Sequence, residues 1–133
     1  MTDDALKLDN QLCFAIYSAS RAMTKAYRPL LSGLGLTYPQ YLVMLVLWEE
    51  EGLSVKSLGE RLKLDSGTLT PLLKRLGSSE LIQRSRDPRD ERVVRVHLTD
   101  KGRALKDKAH AVPRSLLESV EGISPDELLT LKG

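Results

Sequence analysis

The feature of this sequence that most constrains its fold lies between residues 54 and 98. Ser54 can cap a short helix that ends near Leu62, and Asp65 can cap a second helix that runs to about Ser78. Two short helices joined by a three-residue turn form the helix-turn-helix pattern. Apolar residues spaced by three and four give the second helix one inner face, which comprises Leu69, Leu72, Leu73 and Leu76.

Two strand patterns follow this pair of helices directly, at residues 81–86 and 92–98. In the second strand, Val94, Val96 and Leu98 alternate with polar residues, as expected of a half-buried strand. The five residues between the strands are charged apart from one proline, which predicts a turn. A helix-turn-helix followed by such a hairpin predicts a winged helix. The expected fold is therefore mainly α with a small β wing.

Helical patterns also flank the winged region. An amphipathic pattern runs from about Asp9 to Leu31, and residues 37–40 form a capping box that opens a nearly all-apolar helix. Thr99 can cap a further helix, and Ser124 can cap a last short one. Two prolines are expected to bend or end the helices that contain them, Pro29 and Pro113.

The length of 133 residues fits one domain, which we place over residues 1–133. Within it, the winged helix-turn-helix covers about residues 37–99. The outer helices, over about residues 9–36 and 100–133, carry apolar stripes that a core of this size cannot cover. We expect these N- and C-terminal helices to be dimerisation helices that join two copies of the chain in a homodimer.

Several function classes are disfavoured by composition. Cys13 is the single cysteine, so a disulfide framework within the chain and a multi-cysteine zinc site are excluded. Glu49–Glu51 have no histidine partner and are expected to be solvated, while His97 and His110 lie on separate elements and do not resemble a catalytic pair. We expect no metal, no cofactor and no enzymatic activity.

The ends and apolar runs of the chain bear on its location. No apolar run approaches the roughly 18 residues that a membrane span requires. The N-terminus is acidic and has neither the basic start nor the apolar stretch of a signal peptide. The expectation is therefore a cytoplasmic protein without a membrane partner.

The second helix of the helix-turn-helix is the candidate DNA-reading element. A net charge of only +2 means that any nucleic-acid surface must be local, and residues 66–86 hold four basic residues against one acidic residue. Small hydroxyl side chains near a helix N-terminus permit close approach to phosphates and base edges. The candidate contact residues on this helix are Ser66, Thr68, Thr70, Lys74 and Arg75.

The hairpin offers a second set of candidate DNA contacts, Arg84, Arg86 and Arg92. An arginine near a hairpin tip can enter the minor groove and sense its width. Asp90 is the candidate partner that holds Arg92 in the required pose. A solvated hairpin with exposed ion pairs is the plainer interpretation, but its position directly after a helix-turn-helix favours DNA contact.

Several motifs make the chain resemble a known family. Asp90-Glu91-Arg92, followed by residues 97–102 (HLTDKG), resembles the MarR family of winged-helix regulators. Residues 12–19 (LCFAIYSA), 36–44 (LTYPQYLVM) and 65–76 (DSGTLTPLLKRL) resemble the OhrR group of that family, the organic-hydroperoxide-sensing repressors. The resemblance covers about residues 8–105.

This resemblance implies a repressor that binds a pseudo-palindromic DNA operator as a homodimer, with one helix of each copy in the major groove and each wing in the minor groove. It further implies that Cys13 is the redox-sensing residue and that two tyrosines of the partner subunit hold its thiolate. Those two positions match Tyr27 and Tyr38, and Tyr17 belongs to the same region. The chain has no second cysteine and fits the one-cysteine type.

Residue chemistry is compatible with that role. A phenol can donate a hydrogen bond to a thiolate, and such bonds favour the charged form. Attack of the thiolate on an organic hydroperoxide gives a sulfenic acid, which would then react with a small thiol, form a sulfenamide or overoxidise. A bulky adduct at a buried interface would move the helices and release the operator.

Other functions stay open at this point. A MarR-type repressor that responds to a small phenolic ligand would leave Cys13 a structural bystander. A thiol peroxidase is disfavoured because no recycling cysteine is present. A dimeric helical adaptor would leave the arginines of the hairpin without a purpose.

Overall fold

Helices and strands follow one another in the order that the sequence predicts. The computed structural model describes residues 3–119. Two 3₁₀ helices, Asp3–Leu6 and Leu8–Asn10, come first. The remaining elements are α1 (Leu12–Ser32), α2 (Tyr38–Glu49), α3 (Val55–Leu62), α4 (Ser66–Ser78), β1 (Ile82–Asp87), β2 (Asp90–Leu98), α5 (Asp100–Ala109) and α6 (Ala111–Ser119). The mainly α fold with a small β wing is therefore confirmed.

Three helices begin at caps that the sequence predicts. The hydroxyl of Thr37 accepts the backbone N–H of Gln40 at 3.4 Å, and the Gln40 side chain accepts the backbone N–H of Thr37 at 3.0 Å, which completes the capping box of α2. Ser54 and Thr99 each accept a backbone N–H in the first turn of α3 and α5. Such caps stabilise a helix by about 1 kcal/mol each.

Two element boundaries differ from the prediction. α1 begins at Leu12 rather than near Asp9, because residues 8–10 form a 3₁₀ turn instead. The turn of the hairpin is shorter than the predicted five residues. Asp87 pairs with Asp90 across the antiparallel strands, so only residues 88–89 turn the chain.

The prolines act differently in the two outer helices. α1 contains Pro29 and continues to Ser32. The helical pattern after the wing is interrupted at His110, three residues before Pro113. A proline has no N–H to donate to the carbonyl four residues earlier, and its ring crowds that carbonyl, so the break lies one turn upstream. The predicted helix from Ser124 lies outside the described residues.

The core lies where the helix-turn-helix packs against the wing and α2. Each fully buried leucine stabilises the fold by about 2 kcal/mol relative to an exposed one. The core side chains with at most 1% exposure include Val43, Met44, Leu47, Leu58, Leu69, Leu73, Leu76 and Val96. This core holds α4 against β1, so the outer faces of both stand on one side of the molecule.

Glu51 is not solvated as predicted. Its carboxylate accepts the backbone N–H of Leu98 at 3.0 Å and two guanidinium N–H groups of Arg103, at 2.6 and 3.2 Å. The Arg103 hydrogen bond is the main cause that lowers the pKa of the Glu51 carboxyl. The prediction failed because these partners are 47 and 52 residues away in sequence. Glu51 thereby joins the loop after α2 to the end of β2 and to α5.

The first half of α1 stays uncovered by the described residues 3–119, since all of residues 12–22 are exposed; the exposed apolar side chains there form what we call the uncovered apolar face of α1. Leu12, Ile16 and Tyr17 expose 74%, 61% and 58% of their surface. Apolar side chains at such exposure on one helix mark an interaction surface. The homodimer interface is still a prediction. None of the helices in the described range combines the length and apolar character needed to cross a membrane.

Candidate DNA-binding surface and redox site

α4 presents its predicted polar residues to solvent while its leucines face the core. Leu69, Leu73 and Leu76 are each 1% exposed. This burial fixes the rotation of the helix about its axis, so the opposite face points outward. The exposed residues on that face include all five candidates, Ser66, Thr68, Thr70, Lys74 and Arg75.

Thr68 and Asp65 form a local contact at the start of α4. The Thr68 hydroxyl donates to the Asp65 carboxylate at 2.6 Å, and this bond is the main cause that lowers the pKa of the Asp65 carboxyl. Asp65 is the N-cap residue, but its carboxylate makes no capping bond to the backbone, contrary to the prediction. The hydroxyl proton of Thr68 is thus committed, and its oxygen is left to act as an acceptor toward a ligand.

Asp90 and Arg92 form a bidentate pair on the wing. Arg92 Nε lies 3.1 Å from Asp90 Oδ1, and Arg92 Nη2 lies 3.2 Å from Asp90 Oδ2. The side-chain bond to Arg92 is the main cause that lowers the pKa of the Asp90 carboxyl. Two parallel bonds hold a planar guanidinium in one orientation. Arg92 remains 91% exposed, so it is oriented by its partner without being covered by the fold.

The other two wing arginines are also accessible. Arg84 and Arg86 are exposed on β1. The Arg86 guanidinium donates to the backbone carbonyl of Glu91 on the neighbouring strand at 2.7 Å. With Arg89 in the turn, the wing therefore carries four exposed arginines, and hydrogen bonds to the hairpin itself orient the guanidinium groups of two of them, Arg86 and Arg92.

A cleft of about 420 Å³ joins the wing to the helix-turn-helix. Its lining includes Thr70 from α4 and both Arg84 and Arg92 from the wing. Lys56, in the first turn of α3, also lines it and was not among the predicted site residues. The sequence signal for Lys56 was its place as the second residue of α3, two positions after the cap at Ser54. A cleft with three cations and a helix N-terminus on its wall is suited to an anionic backbone.

Arg95 anchors the wing to the rest of the domain and was also missed by the sequence analysis. Its Nε donates to Asp87 at 2.8 Å, and its Nη1 donates to the carbonyl of Gly52 at 3.0 Å. The bond from Arg95 is the main cause that lowers the pKa of the Asp87 carboxyl. Arg95 thus fixes the hairpin relative to the loop before α3.

Cys13 is the second residue of α1 and is exposed in the single chain. The first turn of a helix carries free N–H groups and a partial positive charge. Exposed apolar side chains adjoin it on both sides in sequence, Leu12 and Phe14. The cysteine therefore lies within the uncovered apolar face of α1.

Tyr27 and Tyr38 lie together at the other end of α1. Their ring centroids are 4.8 Å apart, and burial together with Tyr38 raises the pKa of the Tyr27 phenol. Tyr17 does not join them, because it lies ten residues, or about 15 Å, before Tyr27 on the same helix. The centroid of its ring is 5.7 Å from the guanidinium of Arg21. Cys13 and Tyr27 are separated by about 21 Å along the helix. A contact between this cysteine and the tyrosine pair therefore requires a second copy of the chain.

Within residues 3–119, no group of three or more His, Cys, Asp or Glu side chains is arranged to bind a metal ion.

A winged helix-turn-helix with an exposed polar helix and an arginine-bearing wing defines a DNA-binding transcriptional regulator. The family model of the transcriptional regulator SarA/Rot matches residues 25–109. The chain belongs to this family of MarR-type winged-helix regulators.

Two curated relatives are similar over most of the chain. The organic hydroperoxide resistance transcriptional regulator of Bacillus subtilis is 56% identical over 86% of this chain and 78% of its own length. The HTH-type transcriptional regulator TtmR of Methylorubrum extorquens is 59% identical over 94% of this chain. This chain spans 64% of the length of TtmR.

Solved structures share the whole fold. Reduced AbfR bound to DNA is 36% identical, covers 99% of this chain and 92% of its own, and superposes with a TM-score of 0.78. Overoxidised AbfR bound to DNA is 37% identical, covers 99% and 95%, and has a TM-score of 0.77. A mutant MarR from E. coli, complexed with operator DNA, is 28% identical over 91% of this chain and 88% of its own, with a TM-score of 0.81.

Proposed function

We propose that this protein is a transcriptional repressor that binds its operator when Cys13 is reduced and is released when an organic hydroperoxide oxidises Cys13. The observation that carries the proposal is the position of the exposed cysteine and of the Tyr27–Tyr38 pair at opposite ends of one helix. Two antiparallel copies of α1 would bring each cysteine to the tyrosine pair of the partner. The uncovered apolar face of α1 is where the copies would meet.

Two phenols beside the sulfur would stabilise a thiolate by hydrogen bonding. The thiolate attacks the outer oxygen of the hydroperoxide, a sulfur–oxygen bond forms and the oxygen–oxygen bond breaks. The sulfur is oxidised to a sulfenic acid, and the peroxide is reduced to an alkoxide that takes up a proton and leaves as the alcohol. The exposed apolar residues around Cys13 favour organic over inorganic peroxide. Lacking a second cysteine, the chain would depend on a small external thiol for a mixed disulfide.

Release from DNA depends in this proposal on the size of the group attached to sulfur. AbfR has been solved bound to DNA in both the reduced and the overoxidised form, which supports this dependence. A mixed disulfide with a small thiol is much larger and would force the α1 helices apart. The two α4 helices and the wings then lose the spacing that successive half-sites require.

On the operator, α4 of each copy would enter the major groove and the wing would reach the flanking minor groove. Ser66, Thr70 and Lys74 have free access to DNA from α4. The oriented, exposed guanidinium of Arg92 matches a minor-groove contact. The proposed partners are thus an operator DNA with two half-sites and a second copy of this chain, in the cytoplasm and without catalytic turnover.

The test is a gel-shift titration at fixed salt with DNA from upstream of the protein's own gene. Wild-type protein is compared with Cys13→Ser, each reduced, treated with cumene hydroperoxide, or treated with hydroperoxide plus cysteine. We expect both proteins to bind when reduced, and only the wild type to be released, most fully by hydroperoxide plus cysteine, the treatment that forms the mixed disulfide. Release of Cys13→Ser to the same extent would refute the proposal.

A second candidate function is supported by a cleft of about 270 Å³ between α2 and the α5–α6 pair. Tyr41 and Trp48 form an aromatic wall, and Lys106 and His110 lie at its rim. Such a cleft suits a phenolic acid, which would act as effector with Cys13 a bystander. Release of both wild type and Cys13→Ser by salicylate, with no effect of hydroperoxide, would favour this function.

A further inference from the structure

A row of four aromatic side chains leads from the tyrosine pair to the far end of α2. Ring centroids are 4.8 Å apart between Tyr27 and Tyr38, 5.8 Å between Tyr27 and Tyr41, and 6.5 Å between Tyr41 and Trp48. Aromatic pairs interact specifically at centroid distances of about 4.5–7 Å. Tyr41 and Trp48 are seven residues apart, which places them on one face of α2, two turns from each other. The row is therefore one continuous chain of contacts.

The last ring of this row, that of Trp48, is hydrogen-bonded to the start of α5, the helix that follows the wing. The indole Nε1–H of Trp48 donates to the carbonyl of Gly102, in the first turn of α5, at 2.9 Å. Gly102 packs so closely on Leu81 that a Cβ at position 102 would lie 2.1 Å from the Leu81 carbonyl oxygen. The same carbonyl accepts the backbone N–H of Thr99 at 3.0 Å. Leu81 immediately precedes β1, so Gly102 packs directly against the backbone that leads into the wing.

We propose that Trp48 is a positioning residue that couples the modification of Cys13 to the position of the wing. This role rests on the proposed function, in which the oxidised sulfur of a second copy takes up space beside Tyr27 and Tyr38. A ring displaced there moves Tyr41, and Tyr41 moves Trp48. Tyr41, at the centre of the row, is 3% exposed and belongs to the buried core, and close-packed core groups respond to such a shift by changing between discrete arrangements.

The N–H of the indole is what distinguishes this role from packing. Phenylalanine at position 48 would keep an aromatic ring against Tyr41 but has no group to donate to the Gly102 carbonyl. If Trp48 only fills space, Trp48→Phe lowers the stability of the fold. The ratio of the operator affinity of reduced protein to that of oxidised protein then stays unchanged. If Trp48 transmits the change, that ratio falls.

The experiment compares Trp48→Phe and Tyr41→Leu with wild type, and uses Tyr41→Phe as the matched control that keeps the ring. Operator Kd is measured for reduced protein and for protein treated with cumene hydroperoxide and cysteine, and the rate of Cys13 oxidation is followed by thiol titration. We expect unchanged oxidation rates in all variants. The oxidant-induced loss of affinity should shrink by about tenfold in Trp48→Phe, the effect of one hydrogen bond. It should also shrink in Tyr41→Leu and stay at the wild-type value in Tyr41→Phe.

Intrinsic fluorescence gives an independent readout, because Trp48 is the single tryptophan of the chain. Its emission should change when Cys13 is modified in wild type and Tyr41→Phe, and should not respond in Tyr41→Leu. Two results would overturn the role of Trp48 alone. In one, oxidised Trp48→Phe is released from the operator to the same extent as wild type. In the other, oxidised wild type is released but the emission of Trp48 does not change. A wild type that stays bound after Cys13 is modified would overturn the proposed function together with it.

Discussion

Replacing Gly102 by alanine is expected to destabilise the fold and to displace the wing relative to α5. A Cβ there would lie 2.1 Å from the carbonyl oxygen of Leu81 and 3.3 Å from Cδ2 of Leu98. An ordinary carbon–oxygen contact is about 3.3 Å, so α5 and the backbone before β1 must separate by about 1 Å. Overpacking of this kind costs about 1–3 kcal/mol. That cost outweighs the gain of about 0.5–1 kcal/mol that alanine brings to a helix.

Thermal unfolding measures this effect, with Gly77→Ala as the matched control. Gly77 lies inside α4, and a Cβ there would meet nothing within 4 Å. For a chain of this size, 1 kcal/mol corresponds to about 3–5 °C in Tm. We expect Gly102→Ala to lower Tm by about 3–10 °C and Gly77→Ala to raise it by a few degrees. Equal Tm values for Gly102→Ala and wild type would refute the reasoning, because the close contact would then have no structural consequence.

Two further substitutions test charged contacts. The Arg103 hydrogen bond lowers the pKa of the Glu51 carboxyl below its ordinary value of 4.5, so the stability it contributes is present above pH 4.5 and is lost as the pH falls through the lowered value. The difference in unfolding free energy between wild type and Glu51→Gln, measured by urea titration, should be constant at neutral pH and shrink below pH 4.5; a difference that widens on acidification would contradict this. Arg92→Ala should flatten the slope of log K for operator binding against log salt by about 1.8, two charges for two wings. An unchanged salt slope would show that Arg92 does not contact the DNA.

Features that depend on neighbouring residues were predicted well. The caps at Thr37, Ser54 and Thr99 follow from a short side chain before an apolar run, because the hydrogen bonds span three residues. The contact between Asp90 and Arg92 is likewise local, since two residues apart on a hairpin edge share one side of the strand. The leucine spacing of α4 was sufficient to predict which of its residues face outward.

Contacts between segments that are distant in sequence could not be predicted from local patterns. Nothing in the run of three glutamates indicates that Glu51 bonds to Arg103, because 52 residues separate them. Arg95 is one of the polar residues that alternate with the apolar residues of β2, and nothing in that pattern predicts its hydrogen bond to the carbonyl of Gly52. One local contact was missed as well: Asp65 was expected to cap α4 through its carboxylate, whereas that carboxylate accepts the hydroxyl proton of Thr68.

The amino-acid sequence by itself determined the order of the helices and strands, the buried face of α4 and the position of the lone cysteine near the start of α1, because periodicity and capping act over a few residues. Only the tertiary structure showed that the rings of Tyr27 and Tyr38 pack against each other, far from Cys13 of the same chain. It also showed that the Trp48 indole is hydrogen-bonded to Gly102. Those relations depend on how α1, α2 and α5 pack. Packing is decided by the shape of the whole core and has no counterpart in local spacing.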